Sequence, residues 1–180
     1  IQEIADDLGL ELTDELADDF RTLMSGTIES YKKVDEFAER KLPVKYARGG
    51  GMRPAPEDNP YNGWYVRCEI EGSGSGVLKG IDIGIKDAIC VAGIPMMNGT
   101  PTLEGYVPDI DATVVTRILD AGGRIVGKTA AADHSFSGGG HTSAYGPVRN
   151  PHKPTHAPGG SSKGSSVVVA AGDVPATLGG

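Results

Sequence analysis

Ile81, Ile83 and Ile85 alternate with Asp82 and Gly84, and the run ends at Lys86. A period of two is the signature of a strand. Residues 111–123, DATVVTRILDAGG, change to a helical period, with Asp111 placed as N-cap and Gly122 as the stop. Residues 124–127, RIVG, then read as a second strand. Strand, helix, strand at this spacing is a βαβ unit, which joins parallel neighbours and needs helices over the sheet. The pattern recurs downstream. A Gly/Ser loop at 158–162 opens into a helix predicted over 163–172, and 174–178 begins another strand. A short strand is predicted at 64–68. The expected class is α/β, a mainly parallel or mixed sheet covered by helices.

Ahead of this lies an α-helical N-terminal segment. Thr13 is a good N-cap, and Asp14 and Glu15 suit the positive end of a helix over 13–40. Leu16, Phe20, Leu23, Met24, Ile28, Tyr31, Val34 and Ala38 form one apolar stripe at helical spacing, with Gly26 as a candidate break. Such a stripe needs a partner surface, either its own domain or another subunit. Between 42 and 76 the periodicity lapses among Gly49, Gly50, Gly51, Pro54, Pro56 and Pro60, which reads as a linker or a wrapping segment. The domain expectation is therefore 1–60, helical domain and linker, followed by 61–180.

The net charge of −7 is concentrated in residues 1–40, which hold 12 acidic residues against four basic ones. No basic stripe is present to attract a phosphate backbone, which argues against nucleic acid as a partner. No apolar run approaches membrane-spanning length, and the acidic start IQEIADDLGLEL does not read as a signal peptide. A cytoplasmic protein is the simplest expectation. Cys68 and Cys90 have no metal or redox spacing and read as small buried hydrophobes.

Two constellations could carry chemistry. Lys86 stands at the C-terminal edge of a strand, the edge where α/β sheets bind ligands. A lysine desolvated there loses its preference for the charged form and can act as a base. On position alone, a solvated surface lysine is the commoner outcome. The second constellation is PGGSSKGS at 158–165. A phosphate-binding loop needs lysine directly after the last glycine, whereas Ser165 follows Gly164 and Lys163 precedes it. Taken alone, the block reads equally as a flexible turn before a helix. His152 and His156 are four apart, but Pro151, Pro154 and Pro158 forbid the helix that would align them on a metal. Asp133 and His134 invite a triad reading that nothing in the sequence positions against Ser161.

Together the two constellations resemble the amidase signature family. The resemblance is carried by GIKDAICVAGIPMMNGT, by GGRIVGKTAAADHSFSGGGHTSAYGPVRNP and by GGSSKGSSVVVAAGDVPATLGG, and covers roughly 78–180. The PMMNG segment and the acidic helical leader look most like amidases associated with nitrile hydratase. A transamidosome amidotransferase subunit is the second choice. Lys163 departs from the family pattern, in which small residues are commoner at that place.

The resemblance implies hydrolysis of a small-molecule carboxamide by a Ser/cis-Ser/Lys triad, without cofactor or metal. The family lysine falls on Lys86 and the bridging serine, preceded by a cis peptide, on Ser161. Ser137, Gly138, Gly139 and Gly140 fall where the family lines its substrate pocket, and a structural turn there is an equal reading. The nucleophilic serine is expected beyond Gly180, so the chain reads as the N-terminal part of such an enzyme. A non-catalytic truncated piece is the alternative. A homodimer through the N-terminal helices is expected.

Overall fold

The computed structural model describes residues 1–37 and 42–180, which divide into two compact units, Ile1–Lys41 and Leu42–Gly180. In the first, α1 (Gln2–Asp7) precedes α2 (Asp14–Asp35). Thr13 caps α2 as predicted, its Oγ1 accepting from the Leu16 N–H at 3.2 Å. The helix runs unbroken through Gly26, so the candidate break is not used; one glycine inside a helix weakens it by only about 1 kcal/mol. It ends at Asp35, and Ala38 to residue 40 of the predicted span lie outside the described residues. Phe20 and Met24 line an apolar cavity of about 140 Å³ with Ile4 and Leu8 of the α1 region. Leu23, Tyr31 and Val34 of the same stripe are exposed among the described residues of this unit.

The second unit is built on a four-stranded mixed sheet. Its strands are β1 (Trp64–Ile70), β2 (Asp82–Lys86), β3 (Arg124–Thr129) and β4 (Ala176–Leu178), in the order β1-β3-β2-β4. β2 pairs in parallel with both β3 and β4, and β1 joins the edge antiparallel to β3. The β2–β3 crossover contains α3 (Thr113–Asp120), and the β3–β4 crossover contains α4 (Lys163–Ala170). These connections run in opposite directions along the sheet, so right-handed crossovers put α3 and α4 on opposite faces. The core follows that division. Ile83, Ile85 and Ile125 pack with Val115, Ile118 and Leu119 of α3, whereas Val126 packs with Val168 of α4.

β1 alternates as a half-buried edge strand should, with Val66, Cys68 and Ile70 inward and Arg67 and Glu69 outward. A register shift between Trp64 and Val66 turns Trp64 onto the α4 face, among Val126, Val168 and Val174. Its indole lies so close to β3 that a Cβ on Gly127 would stand 2.9 Å from the ring and 2.6 Å from the Val66 carbonyl oxygen. Glycine in that strand therefore marks a close approach.

One sequence expectation is corrected here. Asp111 does not cap the helix, which starts at Thr113 after Ala112 without a side-chain cap. The Asp111 carboxylate instead accepts from the Ala92 N–H at 2.8 Å and pairs with the Arg48 guanidinium. A buried ion pair with a backbone donor outcompetes one N-cap bond. Of the two readings of residues 42–60, linker or wrapping segment, the contacts agree with the second: the stretch is bonded to the sheet unit through this pair, through Lys45 and Tyr46 on Asp120, and through the Met52–Arg67 bridge.

Candidate active site

Side chains alternate along β2, so Lys86 shares the face of Gly84 rather than that of Ile83 and Ile85. A Cβ on Gly84 would meet Trp64 and Thr177, which identifies this as the α4 face. Lys86 therefore leaves the strand end toward the loop that starts α4. Its Nζ donates to Ser161 Oγ at 2.7 Å and to the Gly180 carbonyl oxygen at 2.6 Å. The lysine is only 2% exposed, and burial pulls its pKa below the ordinary lysine value. Nothing in the sequence distance, 75 positions, announces the contact.

Ser161 is held from both sides. The Gly160–Ser161 peptide is cis, and the Ser161 carbonyl oxygen accepts from the Ala132 N–H at 3.1 Å. Gly164, in the first turn of α4, sits against β3, with its N–H donating to the Ala130 carbonyl at 2.9 Å. A Cβ there would lie 2.2 Å from the Ala130 nitrogen and 2.3 Å from the Gly63 oxygen, so only glycine lets the helix start this near the sheet. Ser165 Oγ meets Thr129 Oγ1 at 2.7 Å, tying α4 to the residue paired with Lys86 in the β2–β3 ladder.

Behind Lys86 lies a buried ion pair. Asp87 and Lys128 are both fully buried, with Lys128 Nζ donating to Asp87 Oδ1 at 3.0 Å and the Met97 N–H donating to Asp87 Oδ2 at 3.1 Å. Desolvation raises the Asp87 pKa, and the neighbouring ammonium pulls against it. In the sequence Asp87 stands only as the neighbour of Lys86, without a role, and Lys128 carries no signal. Sequence reasoning also missed Ser162, whose Oγ donates to the Gly180 carbonyl at 2.8 Å and accepts from the Gly180 N–H at 3.1 Å.

The other predicted site residues fall near by. Gly140 is buried and packs on the Gly159 backbone, while Gly138 and Gly139 are exposed. Ser137 lines a shallow cleft of about 360 Å³ with Asp133, His134, Phe136 and Thr142. His134 meets Asp133 at 2.6 Å and Thr102 at 3.4 Å, and among the described residues it makes no bond to Ser161. His156 Nδ1 meets Thr155 Oγ1 at 3.0 Å. Among the described residues no group of three or more His, Cys, Asp and Glu could hold a metal, and no helix is long and apolar enough to cross a membrane.

With the geometry in hand, comparison with known proteins decides the family. The amidase family model matches residues 66–180, most of the chain and the whole of the Lys86–Ser161 arrangement. The chain belongs to the amidase signature family. It is 39% identical over 171 residues to an enantioselective amidase of Rhodococcus rhodochrous, a match covering 94% of this chain and 33% of that protein. It is 46% identical over 113 residues to a glutamyl-tRNA(Gln) amidotransferase subunit of Methanosarcina acetivorans, covering 63% of this chain and 24% of the relative. Among solved structures, the corresponding glutamyl-tRNA(Gln) amidotransferase subunit of Thermotoga maritima matches with a TM-score of 0.57 at 29% identity, over 93% of this chain and 32% of that one. The chain thus spans a third or less of the length of these relatives. The mixed sheet with its helices is the amidase signature fold.

Proposed function

We propose that the protein hydrolyses small carboxamides to carboxylate and ammonia, with neutral Lys86 as the base and Ser161 as the proton relay. The observation that carries this reading is the 2.7 Å contact between Lys86 Nζ and Ser161 Oγ at a buried strand end. A serine hydroxyl is a weak nucleophile until a base takes its proton. Ser161, its own proton passing to the Lys86 amine, would accept the proton of a nucleophilic serine as that oxygen attacks the amide carbon. The proton then returns through Ser161 to the leaving nitrogen, ammonia departs, and water releases the carboxylate from the acyl-enzyme by the same relay. The nucleophilic serine is assigned to residues following Gly180. The 2.6 Å contact of Lys86 with the Gly180 carbonyl supports this, since any continuing chain would start beside the base. Backbone N–H groups of that segment would serve the oxyanion. Residues 137–140 are assigned to the substrate pocket.

A role within an amidotransferase is the second reading, supported by the 46% identity to such a protein over 113 residues. The match to the enantioselective amidase, 39% over 171 residues, exceeds the 35% over 160 residues to the amidotransferase subunit of Salinibacter ruber, which favours the hydrolase. The test is ammonia release from acetamide and benzamide by the full-length enzyme and its Lys86→Ala and Ser161→Ala variants. General base catalysis contributes about 10²–10⁴-fold, and each variant is expected to lose at least that much while keeping its circular dichroism spectrum. Turnover of Lys86→Ala within about tenfold of wild type, or ~1.4 kcal/mol of barrier, sinks the assignment.

A further inference from the structure

Lys163 is the residue of the serine block that this mechanism does not use. Its side chain is fully buried at the first position of α4, and desolvation alone lowers its pKa to about 8. A buried ammonium without a carboxylate partner is unfavourable and needs strong polar compensation. The bond it makes is to the Gly140 carbonyl oxygen, at 3.1 Å.

That bond falls at a telling place. The 137–140 loop rests on the backbone leading to Ser161. A Cβ on Gly140 would lie 2.2 Å from the Gly159 oxygen, and one on Gly160 would lie 2.5 Å from the Ser137 oxygen. Yet among the described residues no backbone hydrogen bond joins 137–140 to 158–161. The flanks are anchored elsewhere. On one side the Phe136 N–H donates to the Asp133 carbonyl at 2.9 Å, and on the other the Asp133 N–H donates to Thr142 Oγ1 at 3.2 Å and the Ala144 N–H to the Gly99 carbonyl at 2.9 Å. The loop between those anchors touches the serine block by van der Waals contact and by the lysine.

We propose that Lys163 is a positioning residue, whose ammonium ties the 137–140 loop to the start of α4 and thereby sets affinity for the amide substrate. The affinity part rests on the reading above that this loop lines the pocket. A small residue at 163 would leave the buried Gly140 carbonyl unpaired and the loop free to lift from Gly159 and Gly160. The Lys86–Ser161 contact does not run through this bond, so binding should suffer before chemistry does.

The experiment uses the full-length enzyme with Lys163→Met, which keeps most of the volume and removes the donor. Hydrogen exchange of the 137–140 amides, read by mass spectrometry, is expected to speed up about tenfold, the loss of one charge-assisted hydrogen bond. KM for benzamide is expected to rise about tenfold with kcat within about threefold, the pattern of lost uniform binding. Lys163→Gln, which retains an N–H donor, should recover at least half of the lost loop protection. If the Met variant fails to fold, Lys163→Ala, carrying the kind of small residue commoner in the family, answers the same two assays. Unchanged loop exchange in a folded donor-less variant overturns the proposal. So does a fall in kcat at unchanged KM, which would give Lys163 a part in the chemistry. If the full-length enzyme cleaves no amide at all, the amidase reading fails separately and the exchange result still decides whether Lys163 holds the loop.

Discussion

Lys128→Met removes the ammonium that faces Asp87 and keeps most of the volume. Both groups are fully buried, so the carboxylate left behind cannot be rescued by solvent. Breaking a buried pair from one side costs about 3–5 kcal/mol, because an uncompensated charge remains. Asp87 retains its bond from the Met97 N–H, which places the expectation toward the lower end, about 3–4 kcal/mol at pH 8. Trp64, the chain's single tryptophan, is buried in the sheet unit and reports its unfolding by fluorescence in urea. With a urea dependence of about 2 kcal/mol per molar, the midpoint should fall by roughly 1.5–2 M. The pH dependence follows from the sign of the Asp87 shift. Its folded pKa is already raised by burial, and Lys128 opposes that rise. Without Lys128 it rises further, so the folded variant binds a proton more readily than the unfolded chain. Its deficit should therefore shrink as pH falls through the variant's Asp87 pKa, by about 1.4 kcal/mol per unit until the less strongly raised Asp87 of the wild type also titrates. Adding Asp87→Asn should restore most of the loss at pH 8, since a neutral amide oxygen still accepts from Met97. A loss below about 1 kcal/mol at pH 8, or one that is the same at pH 5, would refute the idea that an unpaired buried carboxylate is the cause.

Three further outcomes are expected. Because burial lowers the Lys86 pKa and the base proposed for it must be neutral, kcat/KM of the full-length enzyme should rise with pH and level off with a midpoint below 10.5; a midpoint at or above that value contradicts a desolvated base. Gly164→Ala should destabilise the sheet unit by about 3 kcal/mol or more in the same urea assay, since its Cβ would meet backbone atoms that cannot rotate away, and a change under about 1 kcal/mol would mean that α4 can shift outward freely. Removing residues 1–40 should convert a full-length dimer to monomer by sedimentation, given the apolar stripe exposed among the described residues of the helical unit; an unchanged association state excludes the leader as the interface.

Local patterns determined much of this protein. The period-two run ending at Lys86, the helical run after it and the strand at 124–127 are legible because each pattern reflects burial of one face of one element. Thr13 could be recognised as a cap for the same reason, since its partner, the Leu16 N–H, is three residues away. The signature segments pointed to Lys86 and Ser161, but only as two positions in a chain. Their contact depended on the tertiary structure. The parity of β2 sends Lys86 to the α4 face, and the approach of α4 permitted by Gly164 brings Ser161 to meet it. Asp111 went wrong for the complementary reason. A carboxylate at a helix start has a local partner available, yet Arg48, 63 positions away, and the Ala92 N–H bind it more strongly once all three are buried together. Lys128 is likewise an ordinary lysine in the sequence, and Lys163 stands out there only as a departure from the family pattern, with no sign of burial. Folding removes both from water, leaving one facing a carboxylate and the other bonded, among the described residues, to the Gly140 carbonyl, and desolvation is a property of neighbours that no local pattern encodes.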